Sequence, residues 1–250
     1  MRKDQAHGLR KLFARTTCRV AAVHGQPGTP VACELASAIA AMGHRVCVLD
    51  RTVGTAARAI GRRARYDLVQ VLDRHCALDD ALLVARDNVA VLPAARGLER
   101  LATESIDWQG ALQRALPALA HGFDLWLVNG LLPGHTADAP MVLAIDASAP
   151  AVTNAYGHIK ALARAQGRHR FAIIVEAVAS AAAAERVFDC VADTAHRFLA
   201  AELDFLGWAP AAHVRRDQDA QPQRREAFVR IADKLMDALF TPPLLRTGSC

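Results

Sequence analysis

Arg19-Val20-Ala21-Ala22-Val23-His24-Gly25-Gln26-Pro27-Gly28-Thr29-Pro30 decides how the rest of the chain is read. Arg19–Val23 is a short apolar run of the kind that forms a buried strand, and the Ala/Leu-rich stretch Thr29–Met42 has helical spacing. Between them lies a glycine-bearing turn at a helix N-terminus. Free backbone N–H groups and the positive end of the helix dipole converge at such a turn, which is the geometry that binds phosphate. A working Walker A loop also needs a lysine to reach the β- and γ-phosphates and a Ser or Thr for Mg²⁺. The chain has no lysine between Lys11 and Lys160, and Pro27 and Pro30 remove two backbone donors. A dinucleotide-binding turn would use an acidic residue at the end of the second strand, where Asp50 stands, but only Gly25-x-x-Gly28 is present of its glycine fingerprint. The third reading is purely structural, with Gly25 and Gly28 permitting a tight turn.

Outward from this turn, short β-branched runs alternate with longer helical stretches, the pattern of a parallel sheet covered by helices. Strands are predicted near Arg19–Val23, Arg45–Asp50, Asn88–Leu92, Leu125–Asn129, Met141–Asp146 and Phe171–Val178, with a shorter one near Leu203–Leu206. Helices are predicted near Thr29–Met42, Asp79–Arg86, Asp107–His121, Val152–Gln166, Ala182–Ala201 and Arg224–Phe240. The expected fold is α/β, a doubly wound, mostly parallel sheet in three layers. No internal repeat and no second domain are visible.

Composition sets the outer bounds. The 250 residues are 52% hydrophobic and 22% charged, enough material for one sizeable core. The apolar stretches are broken by Asp, Arg, Gly or Pro well short of the roughly 20 residues a spanning helix needs. The N-terminus is charged with no apolar region behind it, so no secretory signal is expected and a cytoplasmic location is. The six cysteines show no C-x-x-C pair and no metal-ligand spacing, as expected of reduced thiols, and no metal is expected. Of 30 basic residues only Lys3, Lys11, Lys160 and Lys234 are lysine.

The first fifteen residues stand apart as a short amphipathic helix, with Ala6, Leu9, Leu12 and Phe13 near helical spacing and Asp4 able to cap it. A helix this short needs a partner surface. At the other end Phe228, Ile231, Ala232, Leu235, Met236, Leu239 and Phe240 make an apolar face. That face can pack on the sheet or seek a membrane, and Asp233 and Asp237 disfavour anionic lipid. His24 and His135 fall near two loops at the presumed ligand-binding edge and could face each other. Arg62, Arg63 and Arg65 form a basic cluster without interleaved aromatic residues, so no specific nucleic-acid partner is expected.

The order of segments resembles the MinD/ParA-type deviant Walker ATPases with their P-loop NTPase fold, and more narrowly the FlhG (FleN/YlxH) branch that controls flagellar number and placement. The most specific piece is Asp4-Gln5-Ala6-His7-Gly8-Leu9-Arg10, which matches the D-Q-A-x-x-L-R element of that branch. Val46-Cys47-Val48-Leu49-Asp50 resembles the strand ending in the first Asp of D-x-D, and Val91-Leu92-Pro93-Ala94-Ala95-Arg96-Gly97 resembles the V-L-P-A-G-S-G stretch. Thr153-Asn154-Ala155-Tyr156-Gly157-His158-Ile159-Lys160 resembles the T-D-A-Y-x-x-I-K helix start, while Arg186-Val187-Phe188, Arg197-Phe198-Leu199 and Leu206-Gly207 follow the late part of the branch.

The departures fall on the nucleotide chemistry. Where the family has K-G-G-V-G-K-S/T, the loop here is several residues shorter and lacks both lysines. Thr52 replaces the second Asp of D-x-D, Asn129 stands at the Walker B-like Asp, and Glu176 stands where an adenine-reading Asn is usual. The resemblance thus implies a degenerate nucleotide site at Gly25, Gly28, Thr29, Asp50, Asn129 and Glu176, with no catalytic residues and no cofactor, weak ATP or ADP binding being the alternative. Hydrolysis without these groups would forfeit the electrostatic stabilisation that carries phosphoryl transfer.

The resemblance also implies three parts: residues 1–15 as an activator helix, 16–240 as a MinD-like domain and 241–250 as a tail. Asp4, Gln5, Ala6, Leu9 and Arg10 would engage an FlhF-type GTPase and stimulate it, Gln5 being the activating residue. Flagellar regulators and C-ring components are further implied partners. Membrane association is expected to be weak or indirect, peripheral at the inner membrane or cell pole. The alternatives are an active ATPase cycling on the membrane and a MinD-like scaffold in cellulose secretion or partitioning.

Overall fold

The computed structural model describes residues 18–26, 28–86, 88–132, 139–211 and 220–240. Eight strands form one sheet: β1 Arg19–Gln26, β2 Val46–Asp50, β3 Leu83–Arg86, β4 Val89–Pro93, β5 Leu125–Asn129, β6 Met141–Asp146, β7 Arg170–Glu176 and β8 Glu202–Ala209. Their order across the sheet is β3-β4-β2-β5-β1-β6-β7-β8. Every neighbouring pair is parallel except β3 against β4. The central strands are buried along their whole length, as parallel strands covered on both faces must be, which is why Val-Cys-Val-Leu and Leu-Trp-Leu-Val show no polar alternation.

Ten helices are present among the described residues: α1 Gly28–Ala41, α2 Thr55–Ala59, α3 Leu68–Leu72, α4 Leu78–Ala81, α5 Ala95–Glu104, α6 Trp108–Ala115, α7 Pro117–Gly122, α8 Ala149–Gln166, α9 Ala181–Leu199 and α10 Ala220–Phe240. They split the core in two. On one face Ala21, Val23, Leu35, Ile39, Phe228, Ile231 and Leu235 pack together, joining β1, α1 and α10. On the other, Val20, Ala22, Trp108, Leu112, Trp126, Ile159, Phe171 and Val191 join the sheet to α6, α8 and α9. The alternation Val20/Ala22 against Ala21/Val23 is the period-2 rule expressed between two helical layers. Three layers result, as expected of a doubly wound sheet.

Several sequence expectations are corrected here. Asp79–Arg86 is not one helix: α4 ends at Ala81 and Leu83–Arg86 is the antiparallel edge strand. Asn88, at φ 63°, makes the hairpin turn possible, because Asn tolerates the left-handed region. Asp107–His121 is two helices, because Leu116 precedes Pro117 and leaves the helical region (φ −131°, ψ 72°); the residue before proline is pushed out of that region. Helices α2, α3 and α5 were not anticipated. Asp67 organises two of them, capping α3 in a box with Gln70 and accepting the Gly97 N–H of α5 at 3.0 Å.

The amphipathic face of the last helix packs inward. Phe228, Ile231, Ala232, Leu235, Met236 and Leu239 are buried against α1 and β8, while Phe240 is half exposed and stacks on His44. No helix among the described residues is long and apolar enough to cross a membrane. The expected activator helix, with Asp4, Gln5, Ala6, Leu9 and Arg10, lies outside the described residues, as do the tail 241–250 and His135.

Candidate functional site

In a doubly wound sheet, ligands bind outside the carboxyl ends of the strands where the winding direction reverses. Here the reversal falls beside β1, whose neighbours are β5 and β6. Strand β1 stays in the sheet as far as Gln26, which pairs with Ile145, and α1 begins at Gly28. Gly25 is required by the sheet itself: its φ is +116°, and a Cβ there would lie 2.1 Å from the Ala144 carbonyl oxygen. Gly28 has open space around it, with nothing within 4 Å of a Cβ.

The ends of β2 and β5 bring Asp50 and Asn129 into register, and Asn129 is also opposite Val23 of β1. Both polar side chains are 1% exposed. The Asn129 amide nitrogen lies 3.0 Å from Asp50 Oδ1, 3.0 Å from Thr52 Oγ1 and 3.2 Å from Thr29 Oγ1. Asp50 Oδ1 also accepts the Thr52 N–H at 2.9 Å and the Thr52 hydroxyl at 2.6 Å. Its Oδ2 accepts the Ala56 N–H at 3.0 Å, at the start of α2. Thr55 closes the knot through the hydroxyls of Thr29 (3.1 Å) and Thr52. Four of the predicted residues, Thr29, Asp50, Asn129 and Gly25 in the adjoining strand, therefore do come together, with Thr52 and Thr55 supplying hydroxyls between them.

Glu176 sits in a second cluster, at the end of β7. Arg224 of α10 donates to Glu176 Oε2 (2.8 Å) and forks onto Glu34 of α1 (2.8 Å to Oε1, 2.6 Å to Oε2). The same guanidinium donates to the Pro210 carbonyl beyond β8 and lies 5.1 Å above the Phe228 ring. Glu176 is 2% exposed and its Oε1 has no hydrogen-bond partner. Burial pushes its carboxyl up to about 7, the nearby Arg224 only partly offsetting this. Sequence reasoning missed Arg224 and Glu34. The available signal was that Arg224 continues the buried stripe Phe228–Ile231–Leu235 backwards by one helical turn, so its charge had to be placed inside.

His24 faces His158 of α8, with ring centroids 4.6 Å apart. Burial and the neighbouring imidazole hold His24 down to about 4, so it is neutral. His158 lines a cavity of about 240 Å³ together with Gly25, Ala144 and Asn154 among others. A larger depression, about 570 Å³, lies along α5, but Arg51 and Arg100 on its wall are already paired with Glu99, Asp73 and Glu104. Burial, Asp50 and Glu34 raise the Cys33 thiol to about 11, which leaves it protonated and unreactive near neutral pH. Among the described residues no group of three or more His, Cys, Asp or Glu could hold a metal ion.

The antiactivator FleN of Pseudomonas aeruginosa (strain PAO1) is 28% identical to the chain over 236 residues, covering 89% of the chain and 84% of FleN. A chain of the MinC:MinD cell division protein complex from Aquifex aeolicus superposes with a TM-score of 0.60 at 16% identity, over 92% of this chain and all of that one. The chain is similar to FleN along most of its length and has the fold of the MinD/ParA-type proteins. A plasmid partition protein from Borrelia burgdorferi shares the fold with a TM-score of 0.58 at 12% identity, over 88% of this chain and 99% of its own. A Cyanothece McdA(D38A)–ATP complex does so with a TM-score of 0.58 at 14% identity, over 89% and 96%. No protein-family model matches the chain.

Proposed function

We propose that the chain is a FleN-like regulator of flagellar number and placement that acts by protein contact and not through an ATP cycle. The observation that carries this reading is that β1 runs to Gln26 and α1 begins at Gly28. A phosphate cradle requires several consecutive N–H groups wrapped around the anion, and a strand that remains in the sheet through Gln26 before the helix starts at Gly28 leaves no length for one.

The fit of a magnesium nucleotide is poor on other grounds. Three carboxyl groups, Glu34, Asp50 and Glu176, stand in the two clusters at the strand ends, and the Arg224 guanidinium is already paired with two of them. A nucleoside triphosphate is a polyanion, and no lysine lies between Lys11 and Lys160 to meet it. The Asp50 oxygens that would face a cation are taken by an amide, a hydroxyl and two backbone N–H groups. Asn129 supplies a neutral donor where the family's Asp would supply charge.

Contact with an FlhF-type GTPase is assigned to Asp4–Arg10, with Gln5 acting on the GTPase and Leu9 as apolar anchor. FleN's description as an antiactivator supports a second contact, with an activator protein. Calorimetric titration of the purified protein with Mg²⁺-ATP and with Mg²⁺-ADP should give no saturable heat, and titration with the FlhF-type GTPase should saturate. Gln5→Ala should abolish stimulation of GTP hydrolysis while binding persists. Micromolar ATP binding would defeat the first half of the reading, and undiminished stimulation by the variant the second.

A further inference from the structure

The strongest unassigned feature is the buried ion triad at the carboxyl edge of the sheet. Arg224 is 5% exposed, Glu176 2%, and the Glu34 side chain 37%, so the triad runs from the interior to the surface. One guanidinium gathers four places distant in sequence: Glu34 in the second turn of α1, Glu176 at the end of β7, the Pro210 carbonyl just past β8, and Phe228 one turn along α10. Ion pairs withdrawn from water gain little net stability against a well-packed apolar alternative. Their geometric demand is strict, however, because a planar fork satisfied on both edges fixes the relative position of everything it touches.

We propose that the Glu34–Arg224–Glu176 triad is a built-in latch that ties α1 to the ends of β7 and β8 and pins the start of α10, so that this edge opens as one unit when the guanidinium is lost. The inference rests on the reading of a nucleotide-independent protein and extends it: order at this edge is supplied from within the chain. One observation independent of the ion pairs points the same way. Asp50, Asn129 and the three threonines make a second internally satisfied cluster at the neighbouring strand ends, so the edge is closed at two adjacent points.

The test is amide hydrogen exchange, read by mass spectrometry on the full chain, for the wild type, Arg224→Ala and Arg224→Lys. Lysine keeps the charge but cannot fork onto Glu34 while also reaching Glu176 and Pro210, so it guards against a variant that does not fold. Exchange over 206–211 and 222–230 should quicken by about tenfold or more in either folded variant, with β5 and β6 unchanged, as expected of local opening. Exchange equal to wild type in a folded variant would overturn the latch. Nucleotide titration of the wild type reads the parent proposal separately: saturable ATP binding would remove the nucleotide-independent reading, while the latch would stand or fall on the exchange alone.

Discussion

At the scale of single residues, the two glycines of the opening turn have opposite roles. Gly25 is held at φ +116° inside β1 with the Ala144 carbonyl where a Cβ would go, whereas Gly28 begins a helix in open space. Gly25→Ala should therefore destabilise by roughly 3 kcal/mol or more, or fail to fold. Gly28→Ala should stay within roughly 0.5 kcal/mol of wild type. Urea denaturation of both variants decides the matter, because a phosphate-binding turn would make each glycine functional and the strand-to-helix junction makes only the first one necessary. Asn129 is the second decisive residue. Asn129→Asp removes the amide donor from three oxygens and sets a carboxylate against Asp50 with no cation between them, so a loss of roughly 3–5 kcal/mol is expected at pH 7.5. Like charges at this distance raise the pair's protonation range, and stability tied to a raised carboxyl is lost as pH rises through it. The penalty should accordingly be smaller at pH 5, which urea midpoints at the two pH values will show.

At the scale of elements, α10 carries the question of membrane contact. Its apolar stripe is already occupied by α1 and β8, and Leu235 is fully buried in it. Leu235→Ala should lower stability by roughly 2–5 kcal/mol, the ordinary range for a core leucine. A helix that served chiefly to dock on lipid would instead show little stability change and weaker sedimentation with anionic vesicles. The core strands were legible in the sequence because each is a β-branched run buried on both faces, and β5 and β6 are bounded where the run of residues says they are. The edge was not. Leu82-Leu83-Val84-Ala85 has the length at which helix and strand cannot be told apart by periodicity, and its partner β4 decides it. The site was half legible: Asp50 and Asn129 follow from strand ends, but Arg224 is some 48 residues from Glu176 and 190 from Glu34 in sequence. A contact of that range leaves no local signal beyond a charge on an apolar stripe.

At the scale of the whole molecule, the Glu34–Arg224–Glu176 cluster sets two carboxyls against one guanidinium in a chain whose net formal charge is +5. Positive charge elsewhere does not relieve a buried carboxyl that has one shared cation beside it, and this shapes the pH dependence of folding. Glu176 titrates at about 7 in the folded chain, against an ordinary value of 4.5, because burial disfavours its charged form more than Arg224 restores it. A raised carboxyl binds its proton more tightly in the folded than in the unfolded chain. Its contribution is therefore fully present below about pH 4.5 and declines as pH rises through about 7. The size is of order 3 kcal/mol at one unit per 1.4 kcal/mol. Glu176→Gln keeps a carbonyl for Arg224 and cannot ionise, so it should remove this decline and leave a flatter stability profile between pH 4.5 and 7.5. Urea midpoints of wild type and variant across that range measure the difference directly. If the two curves stayed parallel, the Arg224 pairing would have to outweigh burial, and Glu176 would be a plain ion-pair partner throughout the physiological range.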